Sequence, residues 1–120
     1  MRGLRGQELL RRPVKIRGIQ LGRAVDLILD PDGRRVLGFD VLCGDGAHRF
    51  LPIAAAEAGR GEISVRSSLT LLDPAELAFY RERGTTLTAL REEEIDDVVL
   101  DDDGGVAERL PKRDGDAAVA

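Results

Sequence analysis

The chain is poor in the residues that most reactive sites are built from. Its 120 residues include one Cys, one His and no Trp. A lone Cys excludes an intramolecular disulfide, and one His with one Cys falls short of a conventional structural zinc site. Phe39, Phe50, Phe79 and Tyr80 are its four aromatics, too few to stack bases along a single strand of nucleic acid. Uninterrupted apolar runs reach four residues, as in Ile53-Ala54-Ala55-Ala56, against the roughly 20 that a membrane span needs. The basic N-terminus leads into no signal-like apolar stretch, and neither end carries a lipidation pattern. No membrane insertion is expected, and a cytoplasmic location is the default. Arg greatly outnumbers Lys, and with the Ala, Gly and Val content this suggests a bacterial source.

What is present is alternation. Val25, Leu27 and Leu29 alternate with Ala24, Asp26 and Ile28, and Leu37, Phe39, Val41 and Cys43 repeat the pattern beyond Asp30-Pro31-Asp32-Gly33. Two period-two runs around such a turn predict a β-hairpin. Further short strands are expected at Val14–Ile16, His48–Ile53 and Glu62–Arg66, with turns at Gly44–Gly46 and Gly59–Gly61. Closely spaced strands of this kind favour a small antiparallel barrel or sandwich. One helix interrupts them. Asp73 is its N-cap, Pro74 its first residue, Glu76 its third, and Gly84 its terminator. Leu72 and Leu77 are placed for a hydrophobic staple.

The chain then begins again. Asp26-Leu27-Ile28-Leu29-Asp30-Pro31-Asp32-Gly33 matches Asp97-Val98-Val99-Leu100-Asp101-Asp102-Asp103-Gly104, 71 residues on. A constant offset indicates a repeated unit, and Thr85–Thr88 would then be strand, by analogy with Val14–Arg17. The expected organisation is a barrel over 4–72, a connecting helix over 73–84, a partial second half-repeat over 85–107 and a disordered tail over 108–120.

Leu21-Gly22-Arg23-Ala24-Val25-Asp26 through Val36-Leu37-Gly38-Phe39, with Arg49-Phe50-Leu51-Pro52 following, resembles the PRC-barrel family. The likeness spans about Leu4 to Leu71. It implies a mainly β chain with a small antiparallel PRC-type barrel, one short helix and an extra C-terminal β-hairpin. Members include the C-terminal barrel of the ribosome maturation factor RimM and the cytoplasmic barrel of the photosynthetic reaction-centre H subunit. As the resemblance implies, such barrels dock onto macromolecules and are not enzymes.

Candidate sites are few. Asp26 fills the family's usual Asp position and reads best as an acceptor for backbone amides or a partner for an Arg. Cys43 and His48 flank one turn, but Cys43 extends an apolar face and reads as a buried thiol. Asp30, Asp32 and Asp101–Asp103 lack the spacing of an EF-hand and read as solvated turns. No catalytic, cofactor or metal site is expected. Charge is more informative. Residues 1–23 carry a net +6 and residues 92–108 a net −9. Candidate partner-binding residues are therefore Arg11, Arg12, Lys15, Arg17 and Arg23 on one side, and Asp97, Asp101 and Asp103 on the other. The expected partners are an unidentified protein and a second copy of the chain, as a dimer. The alternative is RNA or a ribosomal protein, reached through the arginines.

Overall fold

The computed structural model describes residues 1–112. A short helix, α1 (Gly6–Leu9), precedes strands β1 (Pro13–Ile16), β2 (Ile19–Leu29), β3 (Val36–Cys43) and β4 (His48–Pro52). A 3-10 turn at Ile53–Ala55 leads to β5 (Ala56–Ala58) and β6 (Ile63–Val65), and a second at Ser68–Thr70 leads to α2 (Pro74–Arg83). Then come β7 (Thr85–Thr86), α3 (Leu87–Glu93), β8 (Ile95–Leu100) and β9 (Val106–Pro111). The fold is mainly β: a curled half-barrel sheet and a separate two-stranded hairpin. The sheet runs in the order β4-β3-β2-β1-β6-β5, with β7 added to β2, and the hairpin is β8–β9.

Long β2 organises the sheet, pairing with β1, β3 and β7 along different parts of its length. Its inner face supplies Ala24, Leu27 and Leu29 to a core with Phe39, Val41, Leu51 and Ile63. Leu87, Ile95, Val98 and Leu100 from the C-terminal part belong to that same core. The boundaries expected at 72/73 and 84/85 therefore do not mark a break in packing. On the outer face Ile28, Phe50 and Leu77 form a smaller cluster with Leu37, Leu72 and Tyr80. Tyr80 stacks on Phe50 with ring centroids 4.4 Å apart.

Helix α2 starts as its sequence requires, with the Asp73 carboxylate accepting from the Glu76 amide at 3.0 Å. Gly84 ends it for a different reason from the one expected. Its φ is −116°, so no left-handed cap forms; instead a Cβ there would lie 2.0 Å from the Leu29 carbonyl oxygen. Glycine lets the chain press against β2.

Three expectations need correction. The chain holds two further helices among the described residues, not the one helix expected. α1 is a single turn, too short to show periodicity. Thr85–Thr88 is strand for two residues only, because Thr86 caps α3 by accepting from the Ala89 amide at 3.1 Å. Leu87 then enters the core and Leu90 packs against it, so tertiary contacts override the strand preference of the threonines. Finally, β9 runs to Pro111, so Glu108–Pro111 is ordered strand rather than tail. The remainder of that expected tail, 113–120, lies outside the described residues.

Candidate functional site

The matching segments occupy corresponding places. β2 and β8 each shift register at the residue before the aspartate, between Ala24 and Asp26 and between Ile95 and Asp97. Both shift again 71 residues apart, at Ile28/Leu29 and Val99/Leu100. An extra residue re-aims the side chain that follows it, and here it turns both aspartates onto backbone amides. Asp26 Oδ1 accepts from the Leu27 amide at 2.9 Å and from the Thr88 amide, in α3, at 3.2 Å. Asp97 Oδ1 accepts from the Val98 amide at 2.8 Å and from the Gln7 amide, in α1, at 3.2 Å. Each hairpin thus holds the first turn of the helix that precedes the other hairpin. The bridges agree: Thr86 pairs with Ile28, and Arg5 with Val99.

The two halves meet around Gly6. A Cβ on Gly6 would lie 2.7 Å from Leu87 Cδ2 and 3.0 Å from Asp97 Oδ1. Gly6 and Leu87 both open their helices, and there is room for one side chain at that point. Leu87, fully buried, fills it.

Asp26 also faces Asp40, its cross-strand partner in β3. Asp40 is buried and 2.8 Å from His48 Nδ1, while the His48 side chain is half exposed. Burial pushes the Asp26 carboxyl above its ordinary value, and Asp40 adds to this; the Thr88 and Leu27 amides pull the other way. A raised folded-state value means a stabilising contribution fully present below the ordinary value of 3.8 and lost as the pH rises through the folded value. Asp26→Asn keeps an oxygen for both amides and removes the charge. Thermal melts are expected to show the variant at least as stable as the parent at neutral pH, with that advantage disappearing near the acid end.

Cys43 is buried, and its Sγ lies 3.7 Å from the Val41 carbonyl. His48 engages Asp40 instead of Cys43, so no thiol–imidazole pair forms. The Asp40–His48 contact was legible only from hairpin register: Leu42 pairs with His48, which puts Asp40 on the diagonal of the same face.

The predicted partner-binding residues separate. Arg11 and Arg23 line one groove of about 560 Å³ with Leu10 and Val25. Arg12 donates to the Gly59 carbonyl at 3.0 Å and Lys15 lies 3.9 Å from Glu62, so both turn toward the β5–β6 loop. Arg17 sits at the exposed tip of the β1–β2 hairpin. Asp97 is a correction: 1% exposed, it is a helix anchor and cannot contact a partner. Asp101 is spent on its own turn, accepting from the Gly105 amide at 2.8 Å, as Asp30 accepts from the Arg34 amide at 2.8 Å. Asp103 is exposed and 3.4 Å from Arg35. Its carboxyl is held down to about 2, first by its hydrogen bond with Asp101, then by the Gly105 amide and Arg35.

A second groove, about 500 Å³, lies between β5 and the β8–β9 turn. Met1, Ile53, Ala54, Ala56 and Ala58 line it together with Glu57, Asp102 and Asp103. Among the described residues no group of three or more His, Cys, Asp or Glu could hold a metal ion, and no helix is long and apolar enough to cross a membrane.

The fold and these surfaces define a mainly β protein, a half-barrel closed on one side by a hairpin of matching sequence. Compared with known proteins, the chain matches no protein-family model and no curated protein sequence.

Proposed function

We propose that this chain is a non-enzymatic scaffold of the PRC-barrel type, docking onto a macromolecular partner and associating with itself. The observation that carries the reading is that the basic and acidic ends do not pair with each other, although Lys15, Glu94 and Asp103 each have a partner elsewhere in the molecule. Among the described residues, no ion pair joins 1–23 to 92–108. Opposite charges that do not meet within one chain are available to meet between chains.

The full chain is the right material for the test, since removing the C-terminal part would strip Leu87, Ile95, Val98 and Leu100 from the core. Light scattering over a concentration series is expected to show a mass rising above the monomer, less so at about 0.5 M salt than at about 0.05 M. A monomer at every concentration would remove self-association from the proposal. The alternative, an RNA or ribosome-assembly binder, is favoured by Arg2, Arg5, Arg11, Arg17 and Arg23, which have no ion-pair partner among the described residues. Its signature in the same samples is salt-sensitive uptake of an RNA oligonucleotide by a protein that stays monomeric.

A further inference from the structure

We infer that the groove beside β5 receives the β1–β2 hairpin tip of a second copy of this chain, with Ile19 on its apolar floor and Arg17 against its acidic rim. This inference rests on the self-association proposed above and names its surfaces.

The socket comes first. The groove is lined by three consecutive residues of β5, Ala56, Glu57 and Ala58. Alternate side chains of a strand point to opposite faces, so contact with all three places the groove along the strand's edge. That edge has no strand partner among the described residues, β5 being the last strand of its sheet. A free edge accepts an extended segment through main-chain hydrogen bonds. Ile53, Ala54 and Met1 add an apolar floor, and Glu57, Asp102 and Asp103 surround it. Glu57 and Asp103 already have Arg66 and Arg35 within 3.6 and 3.4 Å. Asp102 makes no side-chain hydrogen bond or ion pair among the described residues. The groove therefore calls for an extended segment with one apolar and one cationic side chain close together.

The chain carries such a segment. Among the described residues three large hydrophobic side chains are exposed: Ile19, Leu69 and Phe79. Leu69 lies in a 3-10 turn, and Phe79 lies on a helix beneath the Arg83 guanidinium, 4.3 Å from its ring centroid. Ile19, 66% exposed, is on an extended strand two residues from an arginine that has no ion partner among the described residues.

The backbone marks that arginine: it is one of two non-glycine residues at positive φ among the described residues, and Arg11, the other, lines the groove with Arg23 and not a hairpin tip. Arg17 and Gly18 form the two-residue turn between Ile16 and Ile19, both with positive φ, at 50° and 81°. Asn-Gly would make this turn with less strain. A side chain kept where the backbone disfavours it points to a use for that side chain.

A copy cannot fill its own groove with its own tip. β6 stands between β1 and β5, and β1 is pinned to β6 through Val14 and Lys15.

The test is sedimentation velocity on full-length chains. Arg17→Glu damages the tip and Asp102→Lys damages the groove, both at exposed positions. Each variant alone is expected to weaken association about tenfold or more, the loss of roughly one good charged contact. Mixed in equal amounts they associate again, because one brings an intact groove and the other an intact tip. Arg81→Glu, the same charge change on the exposed face of α2, leaves association at the parental level. Unchanged melting temperatures separate these effects from misfolding. If the parent associates but neither variant weakens it, or the mixture fails to recover, the groove and tip are not the interface, although self-association stands. A monomeric parent overturns both statements. So does binding of a single-stranded RNA oligonucleotide that Arg17→Glu abolishes while the parent remains monomeric.

Discussion

Asp97→Ala is expected to lower the stability of this protein by about 3 kcal/mol, a fall of about 10 °C in Tm. The carboxylate is 1% exposed and accepts from the amides of Gln7 and Val98. Alanine would leave two amide donors without their acceptor, that of Val98 buried in its strand and that of Gln7 partly buried in the first turn of α1. Asp97→Asn retains an oxygen acceptor and is expected to keep more than half of that stability. Asp26→Ala breaks the corresponding pair of bonds at a partly exposed site, where water can replace the acceptor. Its loss should be smaller, on the order of 1 kcal/mol. Thermal melts of the three variants check the ranking. An Asp97→Ala protein as stable as the parent would mean that the reciprocal anchoring of the two halves contributes little.

Gly84→Ala is the second large effect. The added carbon would sit 2.0 Å from the Leu29 carbonyl oxygen and 3.2 Å from the Tyr80 carbonyl oxygen. Both neighbours are backbone, so no rotamer change relieves the clash. Either β7 lifts off β2 or the end of α2 moves. A loss on the order of 3 kcal/mol is expected, read from urea denaturation at matched slope. Gly44→Ala is the control, since nothing lies within 4 Å of its Cβ position and its φ is not positive. It should fall within about 0.5 kcal/mol of the parent.

Much of the local structure was legible in the residues. The Asp30–Gly33 turn and its alternating flanks specify a hairpin, because pleat geometry makes the side-chain period two. Asp73, Pro74 and Glu76 specify a helix start, because each suits a helix-terminal backbone position. The 71-residue echo was legible too, and it marks strands whose register shifts correspond. Cys43 on an apolar face was readable as a buried thiol.

Other features depend on contacts between segments far apart in sequence. Arg11, Arg12, Lys15, Arg17 and Arg23 form one basic run in the chain, yet strand pairing sends them to a groove, a loop and a hairpin tip. Asp97, Asp101 and Asp103 look alike in an acidic run, but one is buried, one closes a turn and one is exposed. Charge counting cannot separate them, since burial depends on which strand lies opposite. α3 was hidden for the same reason: its threonines favour strand locally, and the Asp26 acceptor that holds its first turn lies 62 residues away.

By itself, then, the sequence determined β1 to β4, β6 and β8, the turns between them, α2 and the two charged ends, all consequences of residues within a few positions of one another. Tertiary structure alone decided that each half anchors the other's helix, that Gly6 yields its space to Leu87, and that an acidic groove opens beside β5. Those depend on strand register and close packing, which bring together residues that no local pattern relates.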